Sequence, residues 1–490
     1  MMDTDLVIVG CGAGGLLAAV TAGELGVRCV AVERRHRVGL KLLMCGNNRC
    51  NISHAFNADQ MLEAYGEPVA TFLRPAMTQF APQTLSKWFA RNGLATCVKN
   101  SRIYPTTEKG DDVLHCFTDR MRDLTVPLML NSPVERLESV EGGYRVVCEK
   151  LSLTAKTVLL ATGGVSYPKT GSVGDGQRML AELGIEVTPL RAGLAGIDVK
   201  DAWLQTQGKF EFQNVKATVS DGQNIVGVTL GNMLCENGCL RGTAIFDATR
   251  LIARHQLKSF GITLDLCPQM GVAAVESTIS RGGLGALGIP ESLVGGLKRI
   301  LPNAGVGRWL KAVPLSIEAI RPLKEAIVTV GGVALDEVNP QTMEVRKLPG
   351  VYVCGELLDV DGPTGGFNLH AAFATAHLAV KAIAESLGIV GKPRDAAPTK
   401  PNDAKKEPFR DKGTGGRGGG HNGKTSPSEG GRWENSAQSS ERKSRNSGGK
   451  HQWDNADNGR QTTNRPRSRA DSKPGNRWDN SEFERRRTRP

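Results

Sequence analysis

Two glycine-rich stretches at opposite ends of a 490-residue chain constrain its fold more than any other feature. The first reads Asp5-Leu6-Val7-Ile8-Val9-Gly10-Cys11-Gly12-Ala13-Gly14-Gly15, and the second runs from Gly355 to Gly365-Gly366-Phe367-Asn368. Leu6 to Val9 has the character of a buried strand, and Leu16 to Leu25 reads as a helix ended by Gly26. Between them Gly10 permits a tight bend, Gly12 lets backbone amides approach a phosphate, and Gly15 lets the helix pack on the strand. Unpaired N–H groups at the positive end of a helix dipole then form a pyrophosphate site. Glu33 closes a second strand, where a carboxylate can accept from both hydroxyls of a ribose and repel a 2′-phosphate. The ligand implied is FAD or NAD rather than NADP, and the alternative is a tight βα turn in an unrelated α/β fold. The remote second stretch points to one dinucleotide gripped by both ends of the chain, as flavoproteins do.

A second match to the same glycine spacing, Gly283, Gly285 and Gly288, follows a helix-like run and precedes Pro290. Without a strand before it and a helix after it, it has no phosphate to cradle and reads as a loop. This removes the best candidate for a separate NAD(P)H domain.

Charge divides the chain. Residues 391–490 hold 24 Lys+Arg against 13 Asp+Glu, leaving 38 against 37 in the rest. That tail has no Leu, Ile, Val, Met, Cys or Tyr. It cannot offset an ordering entropy of ~1–2 kcal/mol per residue, so disorder is expected. Trp433-Glu434-Asn435, Trp453-Asp454-Asn455 and Trp478-Asp479-Asn480 recur among arginines, a pattern suited to stacking on RNA bases or meeting another polyanion. A solubilising tail without a specific partner is the alternative.

The eleven cysteines include no Cys-x-x-Cys, and no His/Cys cluster has zinc-like spacing, so no metal is expected. No secretory leader or membrane-spanning run is read, and the thiols read as reduced and cytoplasmic. The expected division is an α/β domain in two parts, 1–191 and 326–390, split by an insertion at 192–325. In that insertion, short alternating runs from 192 to 262 predict antiparallel strands, and 271–325 reads as mostly helical. Helices are also expected over 59–93, 111–124 and 369–387, a hairpin over 134–155, and a buried strand from Thr157 into Ala161-Thr162-Gly163-Gly164.

These blocks together resemble the BaiN/RdsA-type family of FAD-dependent oxidoreductases, the YhiN-like flavoproteins. The most specific are Lys41-Leu42-Leu43 with Gly46 and Arg49-Cys50-Asn51, Ala161 to Gly164 with Ser166 to Ser172, and Gly355 to Asn368. The resemblance runs from about Asp5 to Leu387. It implies a Rossmann-like FAD-binding domain with an inserted β-barrel-like domain and a helical subdomain. FAD would be held non-covalently by Gly10, Gly12, Ala13, Gly14, Gly15, Glu33 and Arg34. Lys41, Gly46, Arg49, Cys50, Asn51, Ala161, Thr162, Gly163, Gly355, Glu356, Asp361, Gly365, Gly366, Phe367 and Asn368 complete the expected set. The chain departs from the family pattern at Asn47-Asn48, Ser53-His54, Phe367 and His370. The first change could alter the loop beside the flavin and the last the substrate face.

Flavin performs hydride transfer itself, so the protein supplies orientation, a proton donor and electrostatic tuning. Candidate catalytic residues are Tyr167, Lys169 and His370. The implied activity is oxidoreduction of a small organic substrate with NAD(P)H as transient donor, including reduction of an activated C=C bond. An RNA-associated flavoprotein recruited by the tail, and a flavin carrier without turnover, are the other readings. Oligomeric state is left open.

Overall fold

The computed structural model describes residues 2–205 and 208–389. The expected basic tail, 391–490, lies outside the described residues.

The strand Thr4–Val9 is buried at every position, as expected for a strand covered on both faces. It pairs in parallel with Cys29–Val32 on one side and Ser152–Leu160 on the other. The outer edge of Ser152–Leu160 is shared. Its first half pairs antiparallel with Gly143–Cys148, and Val158 to Leu160 pair in parallel with Val351–Val353. The return strand from the far end of the chain thus lies one strand away from the first glycine turn. Helix Ala13–Leu25 ends on Gly26 in the left-handed region. It packs beside helix Phe367–Ser386, both contributing to one apolar core with residues 6–185 and 333–384.

The chain leaves this layer at Arg191–Gly193 and returns at Val328–Val330, and these two short strands pair antiparallel. Between them a seven-stranded antiparallel sheet runs in the order 313–314, 261–265, 209–220, 225–236, 239–241, 197–199, 317–320. Its two edge strands are consecutive in the chain, so the sheet curls until its ends approach, giving a barrel-like form. It encloses a second apolar core from Ile197 to Val313.

Three expectations change in detail. Residues 271–325 do contain helices Val272–Gly282, Glu291–Lys298 and Val306–Leu310, yet Val313–Pro314 and Ile317–Ile320 are strands closing the sheet. Helix Thr243–Arg254 interrupts the region read as strands alone. The stretch 59–93 is three helices, Ala58–Tyr65, Val69–Gln79 and Pro82–Arg91. The Gly283/Gly285/Gly288 segment is a 3-10 turn (Leu284–Leu287) after a helix, with no strand before it.

Candidate active site

One cavity of about 1050 Å³ opens between the parallel sheet and the inserted sheet. Val9, Gly10, Cys11, Gly12, Ala13 and Gly14 line one end. Gly10 has φ +93°, and a Cβ on it would stand 2.7 Å from Ala161 O, so the turn is pressed against the exit of the neighbouring strand. A Cβ on Gly12 would meet no protein atom within 4 Å, so the helix N-terminus faces open space. Gly15 is different. It does not line the cavity, and its Cβ would fall 1.8 Å from Gly10 O; its smallness serves the contact between helix and turn.

Glu33 is buried at the end of its strand and held from two sides. Oε2 accepts from Cys11 N–H and Oε1 from Arg35 N–H, each at 2.8 Å. Each oxygen keeps a second acceptor site for a ligand hydroxyl. Arg34, beside it on the cavity, is ion-paired with Asp175.

The middle of the cavity is tied across 315 residues of sequence. Lys41 Nζ donates to Glu356 Oε2 at 2.5 Å and to Ser166 Oγ at 2.6 Å. Glu356 Oε1 accepts from Ser166 Oγ at 3.0 Å and from Thr329 N–H at 2.8 Å. The pair is partly exposed and its lone pairs are almost fully used. Gly46, Arg49, Asn51, Ala161, Thr162, Gly163, Tyr167 and Gly355 line the same space.

At the far end the Gly365-Gly366 turn, with φ +118° and +94°, leads into helix Phe367–Ser386. A Cβ on Gly366 would strike the Ser53 backbone at 2.6 Å. Asn368 lines the cavity, but its amide closes the preceding loop, accepting from Gly362 N–H at 2.8 Å and donating to Gly362 O at 2.9 Å.

Five further expected positions lie off the cavity. His370 is fully buried, with Nδ1 2.9 Å from Ser53 Oγ, and burial holds its pKa down at about 4. Its first-turn position places it beneath the turn, on the interior side of the helix. Phe367 is buried in a ring cluster with His54 and Tyr65. Asp361 is fully buried and ion-paired with Arg250 at 2.6 Å and with Arg254, so it fixes the loop and cannot reach a ligand. Cys50 is buried and burial pushes its thiol well up, which disfavours a reactive thiolate. Lys169 is exposed on the 3-10 turn Pro168–Thr170. Tyr167 does line the cavity, in a left-handed conformation rare for an aromatic residue (φ +51°), and burial raises its phenol pKa.

Sequence reasoning missed the opposite wall. Thr243 and Phe246 of helix Thr243–Arg254 line the cavity, and the same helix grips the segment that leads to Gly365. Asp247 accepts from Thr364 N–H at 2.7 Å and Oγ1–H at 2.9 Å, and burial raises its pKa to about 6. Arg250 holds Asp361, and Arg254 holds Asp359 at 2.7 Å. The spacing 247, 250, 254 is a helical face, but its charges read as a solvated stripe until the partners are seen. Arg102, on the short strand Arg102–Pro105, was missed too.

An extended dinucleotide fits these residues. The helix N-terminus opens where a phosphate needs space, and Glu33 retains acceptors for ribose hydroxyls. The volume is at the upper end of ordinary ligand sites. FAD, when bound, supplies hydride transfer.

The chain is 28% identical over 407 residues to the 3-dehydro-bile acid delta(4,6)-reductase of Clostridium scindens, spanning 77% of this chain and 98% of that protein. It is 24% identical over 392 residues to the ribosomal RNA dihydrouridine synthase of Escherichia coli, spanning 76% and 96%. Among solved structures, the 3-ketosteroid delta1-dehydrogenase of Sterolibacterium denitrificans superposes with a TM-score of 0.47 at 15% identity, covering 78% of this chain and 99% of that one. The family model for the HI0933-like protein Rossmann domain matches residues 4–382. The chain therefore belongs to the HI0933-like Rossmann-domain family and is an FAD-dependent oxidoreductase.

Proposed function

We propose that this protein reduces a carbon–carbon double bond conjugated to a carbonyl group, with NAD(P)H as electron donor to non-covalent FAD. The observation that carries the reading is one continuous cavity, with a helix N-terminus and Glu33 at one end and a wall from the inserted sheet facing the Gly365-Gly366 turn at the other. Two relatives matched over almost their whole lengths are named for such reductions, one of a bile acid and one that yields dihydrouridine. In both cases the double bond is activated by a carbonyl, so one hydride and one proton complete the chemistry.

In this reading Gly10, Gly12, Ala13 and Gly14 meet the pyrophosphate and Glu33 the adenosine ribose. Lys41 and Glu356 fix the walls between them. Gly46, Asn51, Gly365 and Gly366 surround the ring system. Of the three candidate acids, Tyr167 is the one on the cavity lining, and its raised pKa keeps the phenol protonated at neutral pH. The inserted sheet covers the substrate and excludes water.

The test is a visible spectrum of the purified protein followed by anaerobic titration with NADH and NADPH. A yellow protein bleached by one nucleotide and reoxidised by a conjugated enone supports the reading. A colourless protein that takes up no added flavin refutes it. A second reading, in which the double bond belongs to uracil in RNA, is favoured by the 24% relative. Reoxidation by a uridine-containing RNA, and not by a small enone, distinguishes it.

A further inference from the structure

Most cations on the cavity wall are already engaged. Lys41 is paired with Glu356, Arg34 with Asp175, Arg37 with Asp111, and Arg321 with Asp198. Arg49 lies over the Tyr104 ring and bonds Gly46 O. Lys209, Arg241 and Lys324 are exposed at the rim. Arg102 alone combines three properties: it lines the cavity, is half-buried, and has a side chain with no hydrogen bond or ion pair among the described residues.

Its position is built, not incidental. Asn100 (φ +49°) and Ser101 (φ +59°) form a two-residue turn that sets Lys99 opposite Arg102. On its other side Arg102 pairs in register with His54. A methyl group on Gly365 would lie 3.6 Å from Arg102 Nε, so the guanidinium stands against the glycine turn. The neighbouring polar groups are all occupied elsewhere. His54 Nδ1 is 3.1 Å from Gly365 O and Asp247 accepts from Thr364, so neither side chain is hydrogen-bonded to Arg102, and the nearby Asp247 carboxylate attracts the guanidinium without pairing with it. A planar set of unused N–H donors beside the turn has one natural partner, an oxygen that gains negative charge.

We propose that Arg102 is a catalytic residue that binds the substrate's carbonyl oxygen and stabilises the enolate formed when hydride adds to the conjugated double bond. This rests on the reduction proposed above. Hydride forms a new C–H bond at the β-carbon, and the π pair of the C=C bond shifts so that charge gathers on the carbonyl oxygen, held by Arg102 N–H groups. A proton from the Tyr167 phenol then forms the α C–H bond and the carbonyl is restored, while water returns the proton to Tyr167. NAD(P)H, through FAD, is the reductant.

The experiment uses the FAD-loaded protein with two probes, 2-cyclohexenone for turnover and 4-chlorophenol for binding, the second read as a long-wavelength charge-transfer band between phenolate and flavin. Arg102→Gln is expected to retain stoichiometric FAD, to bind the phenolate at least about tenfold more weakly, and to lose about 10²–10³-fold in kcat/KM. Added guanidinium restores part of the turnover, and Arg102→Lys lies between. Lys324→Gln, at the rim, leaves phenolate binding unchanged. If Arg102→Gln, or Arg102→Lys should the first not hold FAD, binds phenolate and turns over like the parent, the assignment is wrong. A parent that binds phenolate in an Arg102-dependent way but reduces no enone and no RNA uridine overturns the proposed reaction and leaves the anion site standing.

Discussion

Gly12 and Gly15, three residues apart, separate ligand binding from folding. Gly12 has ordinary extended geometry (φ −78°), and a Cβ there meets nothing within 4 Å. Gly12→Ala should therefore leave the apoprotein's stability within about 0.5–1 kcal/mol of the parent. The added methyl group points into the space a phosphate would occupy. FAD affinity should fall by roughly 100-fold, equivalent to about 2.7 kcal/mol. Gly15→Ala would put a Cβ 1.8 Å from Gly10 O and 2.9 Å from Gly10 C, both backbone atoms that no rotamer change can move. Separation of helix and turn should cost at least about 1–3 kcal/mol, the ordinary range for overpacking, before any ligand is added. Urea unfolding of the two apoproteins, with flavin-fluorescence titration of each, measures both effects. A Gly12→Ala protein that binds FAD like the parent, or is as destabilised as Gly15→Ala, would show the reasoning about this turn to be wrong.

Other outcomes follow from the same geometry. Glu33→Gln should keep one backbone bond and lose the charge-assisted ones, weakening FAD about tenfold to 100-fold by the same titration. Arg250→Ala leaves the buried Asp361 carboxylate with Arg254 as its one remaining cation among the described residues, and should cost up to about 3–5 kcal/mol in urea unfolding, with Arg250→Lys recovering part of it. Burial holds His370 and His377 near 4, so the unfolded chain takes up their protons first as pH falls. The stability they carry above about pH 6.5 is lost progressively down to about pH 4, roughly 3 kcal/mol each. Asp247, raised to about 6, has the opposite sign and offsets about 2–3 kcal/mol over the same window. His370→Asn should flatten the acid limb of stability measured from about pH 7.5 down to about pH 4. Cys50 should resist a thiol reagent in the folded protein and react only on unfolding.

The first βαβ unit was legible because three signals coincide on Leu6 to Leu25: an apolar strand run, glycines at the turn, and a helix period ended by Gly26. Glu33 was legible because its distance from the turn is fixed by the helix between them. Strands Val313–Pro314 and Ile317–Ile320 were not, since pieces of two to four residues carry no period and Pro314 argues against a strand. His370 and Asp361 mark another limit. Both stand in the right segment, but sequence does not say which side of a helix turn faces a ligand, nor that the partner of Asp361 is Arg250, 111 residues earlier. Arg102 escaped notice for the complementary reason: what distinguishes it is a side chain with no hydrogen bond or ion pair among the described residues, and absence has no sequence motif.

Helix Thr243–Arg254 belongs to the inserted sheet's half of the molecule, yet Asp247, Arg250 and Arg254 are bonded to Thr364, Asp361 and Asp359. The segment delivering the Gly365-Gly366 turn cannot swing alone without stripping buried charges, so roof and floor of the reaction chamber travel as one block. A rotation of the inserted half about the paired crossing at Arg191–Gly193 and Val328–Val330 would have to break these bonds, so admission of a substrate falls to other parts of the cavity rim.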